Sequence, residues 1–145
     1  MRQPAMYGAN RNVADFYRKT GVASAALGDD PHRLIGLMLD GACKRTRLAH
    51  ACIERQDIPG KGKAIADACA IISHLNASLN HELGGDIASN LSALYDYCMR
   101  RLTEANLHND RQALDEVSGL LDEIASAWNA IPRENRQKPE LGTPA

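Results

Sequence analysis

A long helical periodicity in residues 84–110 constrains the fold more than any other feature of the chain. Apolar residues recur there at steps that place them on one face of an α-helix of about 3.6 residues per turn. They are Ile87, Leu91, Leu94, Tyr95, Cys98, Leu102 and Ala105. Gly84 and Gly85 can adopt the positive φ values that end a preceding helix, and Asp86 can cap the next. The segment therefore predicts a long helix with one apolar and one polar face.

Three further segments have helical periodicity and are separated by turn residues. Asp30 is the predicted N-cap of one helix, and Pro31 occupies its first helical position. Residues 57–62, with the sequence DIPGKG, are interpreted as a turn. The predicted helices cover about residues 30–56, 63–80, 86–108 and 110–131. Helices joined by short turns alternate in direction, so we predict an all-α, antiparallel up-and-down four-helix bundle.

The length of 145 residues and a hydrophobic content of 44% suit one globular domain. We place this domain at residues 1–131, with residues 1–29 as an N-terminal strap that includes a short helix. Val13, Phe16 and Tyr17 are the apolar residues by which the strap is expected to lie on the bundle. Residues 132–145 are polar and rich in proline, which predicts a disordered tail.

The composition argues against nucleic-acid and membrane partners. The chain has 17 basic and 18 acidic residues and only 4% aromatic residues, whereas a nucleic-acid binder is expected to be basic or to carry stacking rings. No apolar run is long enough to span a membrane, and the N-terminus lacks the apolar core of a signal peptide. We therefore expect a cytoplasmic protein that does not insert into membranes.

No catalytic or metal-binding pattern is evident. The cysteines show no C-x-x-C spacing and are interpreted as buried, reduced side chains; they are Cys43, Cys52, Cys69 and Cys98. The five histidines share no metal-ligand spacing, and the chain has no Glu-x-x-His motif. His74 is interpreted as a boundary histidine. We expect no enzyme activity and no cofactor, with a histidine phosphotransfer or metal-handling bundle as the alternative.

Apolar residues in the second and third predicted helices cover more of the helix surface than one packed face needs. Many of them are small, which allows close approach of another helix and leaves a groove. The pattern alone equally allows the extra apolar width to be core. A self-associating helical scaffold, in which this surface meets its own copy, is a further alternative.

Three strings in this order and spacing resemble a known family. They are DPHRLIGLMLDGA at 30–42, ISHLNASLNHELGGDIASNLSALYDYCMRRLTEANLHND at 72–110 and EVSGLLDEIASAWNAI at 116–131. The chain resembles the FliS family of flagellar export chaperones over about residues 13–131. The resemblance implies a cytoplasmic helical bundle that binds the disordered C-terminal segment of flagellin and prevents its premature polymerisation. It also implies delivery of flagellin to the flagellar type III export apparatus.

The resemblance, together with the apolar pattern, predicts the partner-binding residues. The predicted flagellin-binding groove consists of Ile65, Ile72, Leu75, Asn76, Leu79, Asn90, Leu91, Leu94 and Tyr95. Asn76 and Asn90 are expected to hydrogen-bond the backbone of the bound segment. Tyr17 matches the N-terminal tyrosine of the family and is the candidate contact to a component of the export gate. Other flagellar regulators are further candidate partners.

Overall fold

The computed structural model describes residues 30–132, which form four α-helices and no β-strand. The helices are α1 (Pro31–Glu54), α2 (Ile58–Ala77), α3 (His81–His108) and α4 (Arg111–Asn129). The prediction of an all-α four-helix bundle is confirmed. The predicted strap, with Val13, Phe16 and Tyr17, lies outside the described residues, as does the predicted tail beyond Pro132.

The helices are arranged in a ring in which each packs on two neighbours. α1 and α3 lie at opposite corners, and each of them packs on both α2 and α4. His32 at the start of α1 bonds Trp128 at the end of α4, whereas Glu54 at the end of α1 bonds Arg111 at the start of α4. These two helices are therefore antiparallel. α1 packs more extensively on its neighbours than α3 does, so α3 is the less tightly held corner.

The start of α2 differs from the sequence prediction. Residues 57–62 were interpreted as a turn, but α2 already begins at Ile58. The carboxylate of Asp57 caps the helix by accepting from the backbone N–H of Gly60 at 3.0 Å. Pro59 lies in the first turn, where its missing N–H has no helical partner to lose. The residues that were interpreted as a turn therefore form the N-cap and the first turn of α2.

α3 contains a kink where two glycines were predicted to interrupt the helix. Gly85 has φ 51° and ψ −126°, which confirms the predicted positive φ at this residue. The residues before the kink, 81–84, form a helical turn that is capped by Asn80. α3 then continues to His108 and ends at Asn109 in the left-handed conformation.

The cysteines are free thiols, and Cys43, Cys52 and Cys98 are buried as predicted, while Cys69 is only partly buried. Burial raises the pKa of both Cys43 and Cys98 to about 11. Burial also raises the pKa of Cys69. These thiols are therefore protonated at neutral pH and are poor nucleophiles.

Lys61 joins the start of α2 to the end of α3. Its side chain is buried, with 5% of the residue exposed. The ammonium group donates to the carbonyl oxygen of Asn106 at 2.9 Å and to the side-chain oxygen of Asn109. A cation at the C-terminal end of a helix also interacts favourably with the helix dipole. The two helices are therefore held together at the end of the bundle where α3 turns into α4.

Replacing Lys61 with methionine is expected to lower the free energy of unfolding by about 1.5–3 kcal/mol, the usual value of hydrogen bonds to a charged group. Urea denaturation followed by circular dichroism measures this change. Lys63→Met is the matched control, because Lys63 is exposed and pairs only with Asp67 in its own helix. An exposed pair contributes about 0–1 kcal/mol, so equal losses in the two variants would contradict the role of Lys61.

Candidate partner-binding groove between α3 and α4

An open groove of about 330 Å³ lies between α3 and α4. Its walls are the N-terminal half of α3 and the C-terminal half of α4, and α1 contributes one residue to its floor. The lining residues are Leu39, Ile87, Asn90, Leu91, Leu94, Ile124, Ala127, Trp128 and Ile131. Asn90 is the only polar residue among them. We refer to these nine residues as the apolar groove.

The groove exposes large apolar side chains to solvent. Ile87 is 65% exposed and Leu94 is 37% exposed. Trp128 and Leu39, by contrast, are almost fully buried and form the floor. Removing a Leu or Ile side chain from water stabilises a complex by about 1.5–3 kcal/mol. A partner that covers this surface therefore gains binding free energy. The concave shape and apolar walls suit the apolar face of a partner helix.

The floor of the groove is fixed by a contact between α1 and α4. The indole N–H of Trp128 donates to the carbonyl oxygen of His32 at 2.7 Å. The carbonyl oxygen of Trp128 accepts from Nε2 of His32 at 2.8 Å, so this nitrogen carries a proton. The two rings also stack, with centroids 4.4 Å apart and planes 11° from parallel. The position of Trp128 is therefore set by two hydrogen bonds and a stacked ring.

The groove ends, toward the α3–α4 turn, at a set of polar side chains that connects the two helices. The hydroxyl of Tyr97 donates to Glu116 at 2.7 Å, and Nε of Arg101 donates to Glu116 at 2.8 Å. Arg101 also pairs with Glu104 of its own helix at 2.6 Å. We call Tyr97, Arg101 and Glu116 the polar clamp.

The hydrogen bonds of the clamp shift the pKa values of its members. Hydrogen bonds from Tyr97, and then from Arg101, lower the pKa of Glu116. The same hydrogen bond to Glu116 raises the pKa of Tyr97, because it favours the protonated phenol. At neutral pH the clamp therefore holds an ionised Glu116 between two donors.

The structure places the predicted binding residues in two different environments. Asn90, Leu91 and Leu94 line the apolar groove, where they lie together. Five predicted residues are instead buried in the bundle core: Ile65, Ile72, Leu75, Leu79 and Tyr95. Asn76 lies on α2 and donates to Asp96 of α3 at 3.1 Å, away from the groove. For the five core residues, the prediction of an accessible binding surface is wrong.

The ring arrangement of the helices explains why these five residues are buried. α2 packs on both α1 and α3, so its wide apolar face is covered from two sides. Ile72 and Leu75 are fully buried between these neighbours. Tyr95 is fully buried because its position on α3 points into the bundle, whereas Leu94 lies one residue earlier, at the edge of the packed face.

The sequence prediction also missed the side of the groove contributed by α4. Ile124, Trp128 and Ile131 recur at helical spacing in the last predicted helix but were not among the predicted binding residues. Ala127 is exposed next to Trp128 and widens their apolar stripe. The width of this stripe could have indicated a binding surface in the sequence, since a helix that only packs in a bundle needs a narrow apolar stripe. Ile87, at the exposed edge of α3, was likewise recognised as apolar but not as a site residue.

Within residues 30–132, no group of three or more His, Cys, Asp or Glu side chains is arranged to hold a metal ion. None of the helices in that range is both long and apolar enough to cross a bilayer. A second cleft between α1 and α4 is polar, and His50 lies there 3.5 Å from Asp115. The apolar groove is therefore the candidate site for a protein partner.

The sequence of the chain is similar to those of several known proteins. Residues 10–135 match the profile of the family described as "Flagellar protein FliS". The chain is 47% identical over 116 residues to the flagellar secretion chaperone FliS of Salmonella typhimurium, covering 79% of this chain and 86% of the relative. It is 40% identical over 134 residues to the protein of that name from Vibrio cholerae, covering 91% and 98%. The Bacillus subtilis relative is 33% identical over 135 residues, covering 92% and 97%.

Proposed function

Since this chain belongs to the FliS family of flagellar secretion chaperones, we propose that it binds the disordered C-terminal segment of flagellin in the apolar groove. The family is one of chaperones, so the chain acts in flagellar export and is not an enzyme. The observation that carries the proposal is the cluster of exposed apolar side chains, including Ile87 and Leu94, over a buried floor formed by Trp128.

The energetics suit a disordered partner. Ordering such a segment costs about 2–5 kcal/mol, and complexes of this kind bury about 1,000–3,000 Å². Each Leu or Ile anchor that is fully buried contributes about 1.5–3 kcal/mol, so two or three anchors in the groove offset the ordering cost. Further contacts outside the groove supply the remaining area. Asn90 at the rim is in a position to hydrogen-bond the polar side of the bound segment.

Binding of this kind accounts for both parts of the chaperone role. Apolar anchors that flagellin uses to assemble are covered while they lie in the groove, which prevents premature polymerisation. The bound segment is then delivered to the flagellar type III export apparatus, with Tyr17 as the proposed contact to the export gate. Both steps take place in the cytoplasm before export.

Isothermal titration calorimetry with the C-terminal segment of flagellin from the same organism tests the proposal. We expect saturable binding with one segment per chain and a negative heat-capacity change, the signature of apolar burial. Sedimentation of the chain with and without the segment tests the alternative of a self-associating scaffold. Absence of binding, together with concentration-dependent self-association, would contradict the chaperone proposal and favour the scaffold.

We further propose that the N-terminal strap covers part of the groove until flagellin displaces it. The described chain begins at Asp30, two residues before His32, which contacts the groove floor through Trp128. The proposal is supported by this closeness of the first described residues to the groove floor. Val13, Phe16 and Tyr17 are the proposed covering side chains.

Deleting residues 1–19 is expected to increase the affinity for the flagellin segment, because the segment no longer competes with the strap. Hydrogen exchange of the free protein should become faster in the N-terminal half of α3. Calorimetry and exchange measurements on the full chain and the truncated chain check both expectations. An unchanged affinity and unchanged exchange would show that the strap does not cover the groove.

A further inference from the structure

The α3–α4 interface has an open half and a closed half. The open half is the apolar groove, which is lined by Ile87 and Leu94 of α3, by Ile124 of α4 and by Ile131 just after α4. Toward the α3–α4 turn, the row on α3 continues with Tyr97 and Arg101, and the row on α4 continues with the partly buried Leu120 and then Glu116. The rows continue because Tyr97 and Arg101 follow Leu94 at helical spacing, and Glu116 precedes Ile124 by about two turns.

The core-facing side chains beneath the clamp are inaccessible to solvent. Cys98, Leu102 and Ala105 of α3 are fully buried, as are Leu121 and Val117 of α4. The core-facing residues of the open half, Ala88, Tyr95 and Ala125, are also buried, so the two halves differ in the outer rows of the interface and not in its core. They differ in that Glu116 is bonded across the interface by Tyr97 and Arg101 in the closed half. No hydrogen bond between α3 and α4 is seen among the residues that line the groove.

We propose that the polar clamp is a length determinant of the binding site, so that the groove accepts about two turns of an amphipathic helix from the flagellin segment. This inference rests on the proposed function. Ile87 and Leu94 are seven residues apart, which corresponds to about 10 Å along a helix at 1.5 Å per residue. A partner helix with apolar anchors at i, i+3 or i+4, and i+7 has the same span. A longer helix meets the clamp and has to leave the groove there.

The clamp can be opened by a single substitution that has a close control. Glu116→Gln removes the charge that holds Tyr97 and Arg101 across the interface. Glu104→Gln also removes a carboxylate partner of Arg101, but Glu104 lies on α3 itself, so its loss leaves the cross-helix bonds in place. In the free protein, we expect faster hydrogen exchange over residues 97–108 in Glu116→Gln than in Glu104→Gln or the parent chain.

Peptide affinities then test the length limit. The probes are a flagellin C-terminal peptide that spans two helical turns and two longer peptides, each extended by about seven residues at one end. The parent chain and Glu104→Gln are expected to gain no affinity from the extension that runs toward the clamp. Glu116→Gln is expected to bind one of the longer peptides about tenfold more tightly, which corresponds to one additional buried Leu or Ile side chain.

The possible outcomes separate the inference from the proposed function. If the parent chain already gains affinity from the added turns, with protection extending over residues 97–105, the clamp does not limit length. Equal affinities for all peptides in Glu116→Gln would likewise overturn the inference and leave flagellin binding intact. If no peptide binds to any variant, both the proposed function and the length limit are contradicted. Faster exchange in Glu116→Gln together with a selective gain for a longer peptide supports the clamp.

Discussion

Replacing Leu94 with aspartate is expected to weaken binding of the flagellin C-terminal segment by about tenfold or more, with a smaller loss of thermal stability than a substitution in the core. Leu94 is a wall residue of the apolar groove and is 37% exposed, so the folded chain loses fewer contacts there than at a core position. The complex loses the burial of one apolar anchor and has to cover a carboxylate, which costs further free energy. Calorimetry with the segment and thermal unfolding by circular dichroism measure the two effects.

Leu107→Asp is the matched control for this variant. Leu107 is on the same helix and is 73% exposed, but it lies beyond the clamp and does not line the groove. The substitution introduces the same charge at a more exposed apolar residue. We expect unchanged affinity for the flagellin segment. If both variants lost affinity equally, a general effect of negative charge on α3 would explain the loss, and the groove would not be the binding site.

Replacing Ile72 with aspartate is expected to unfold the protein. Ile72 is fully buried where α2 packs in the bundle core. Truncation of a buried Ile costs about 2–5 kcal/mol, and an unpaired carboxylate in the same place adds a desolvation penalty. The total is comparable to the whole stability of a small domain, about 5–15 kcal/mol. Loss of the helical circular dichroism signal and of the cooperative thermal transition should therefore accompany this substitution.

Ser73→Asp provides the comparison, because Ser73 follows Ile72 directly and is exposed on the same helix. Substitutions at such surface positions usually change stability by about 0.5 kcal/mol or less. If the Ile72→Asp variant folded normally and bound flagellin more weakly, Ile72 would be a binding residue and not a core residue.

The fold could be predicted because its signals are local. Asp30 acts as a helix cap where the sequence indicated one, and Gly85 adopts the predicted positive φ. These residues act through backbone hydrogen bonds and allowed torsion angles within a few neighbouring positions. The turn predicted at residues 57–62 was wrong because the local signal there fits two structures. Asp57 and Pro59 are typical of turns but also of a first helical turn, and the sequence pattern does not separate the two.

The groove could be predicted only in part, because an apolar face does not reveal what covers it. Leu91 and Leu94 were identified from the periodicity of α3, and they do line the groove. Tyr95 and Ile72 belong to equally apolar faces but are covered by neighbouring helices. The difference depends on which helices are adjacent in the ring and how closely they approach. Those are tertiary properties that the periodicity of a single helix does not contain.

Fluorescence of Trp128 during titration with the flagellin C-terminal segment tests the central claim most directly. Trp128 is the only tryptophan of the chain, and it forms part of the groove floor. We predict a saturable change in its emission for the parent chain, at the affinity found by calorimetry, and a correspondingly weaker response for Leu94→Asp. Calorimetric binding of the segment without any change in Trp128 emission, and with the same affinity in Leu94→Asp, would show that flagellin binds elsewhere on the molecule.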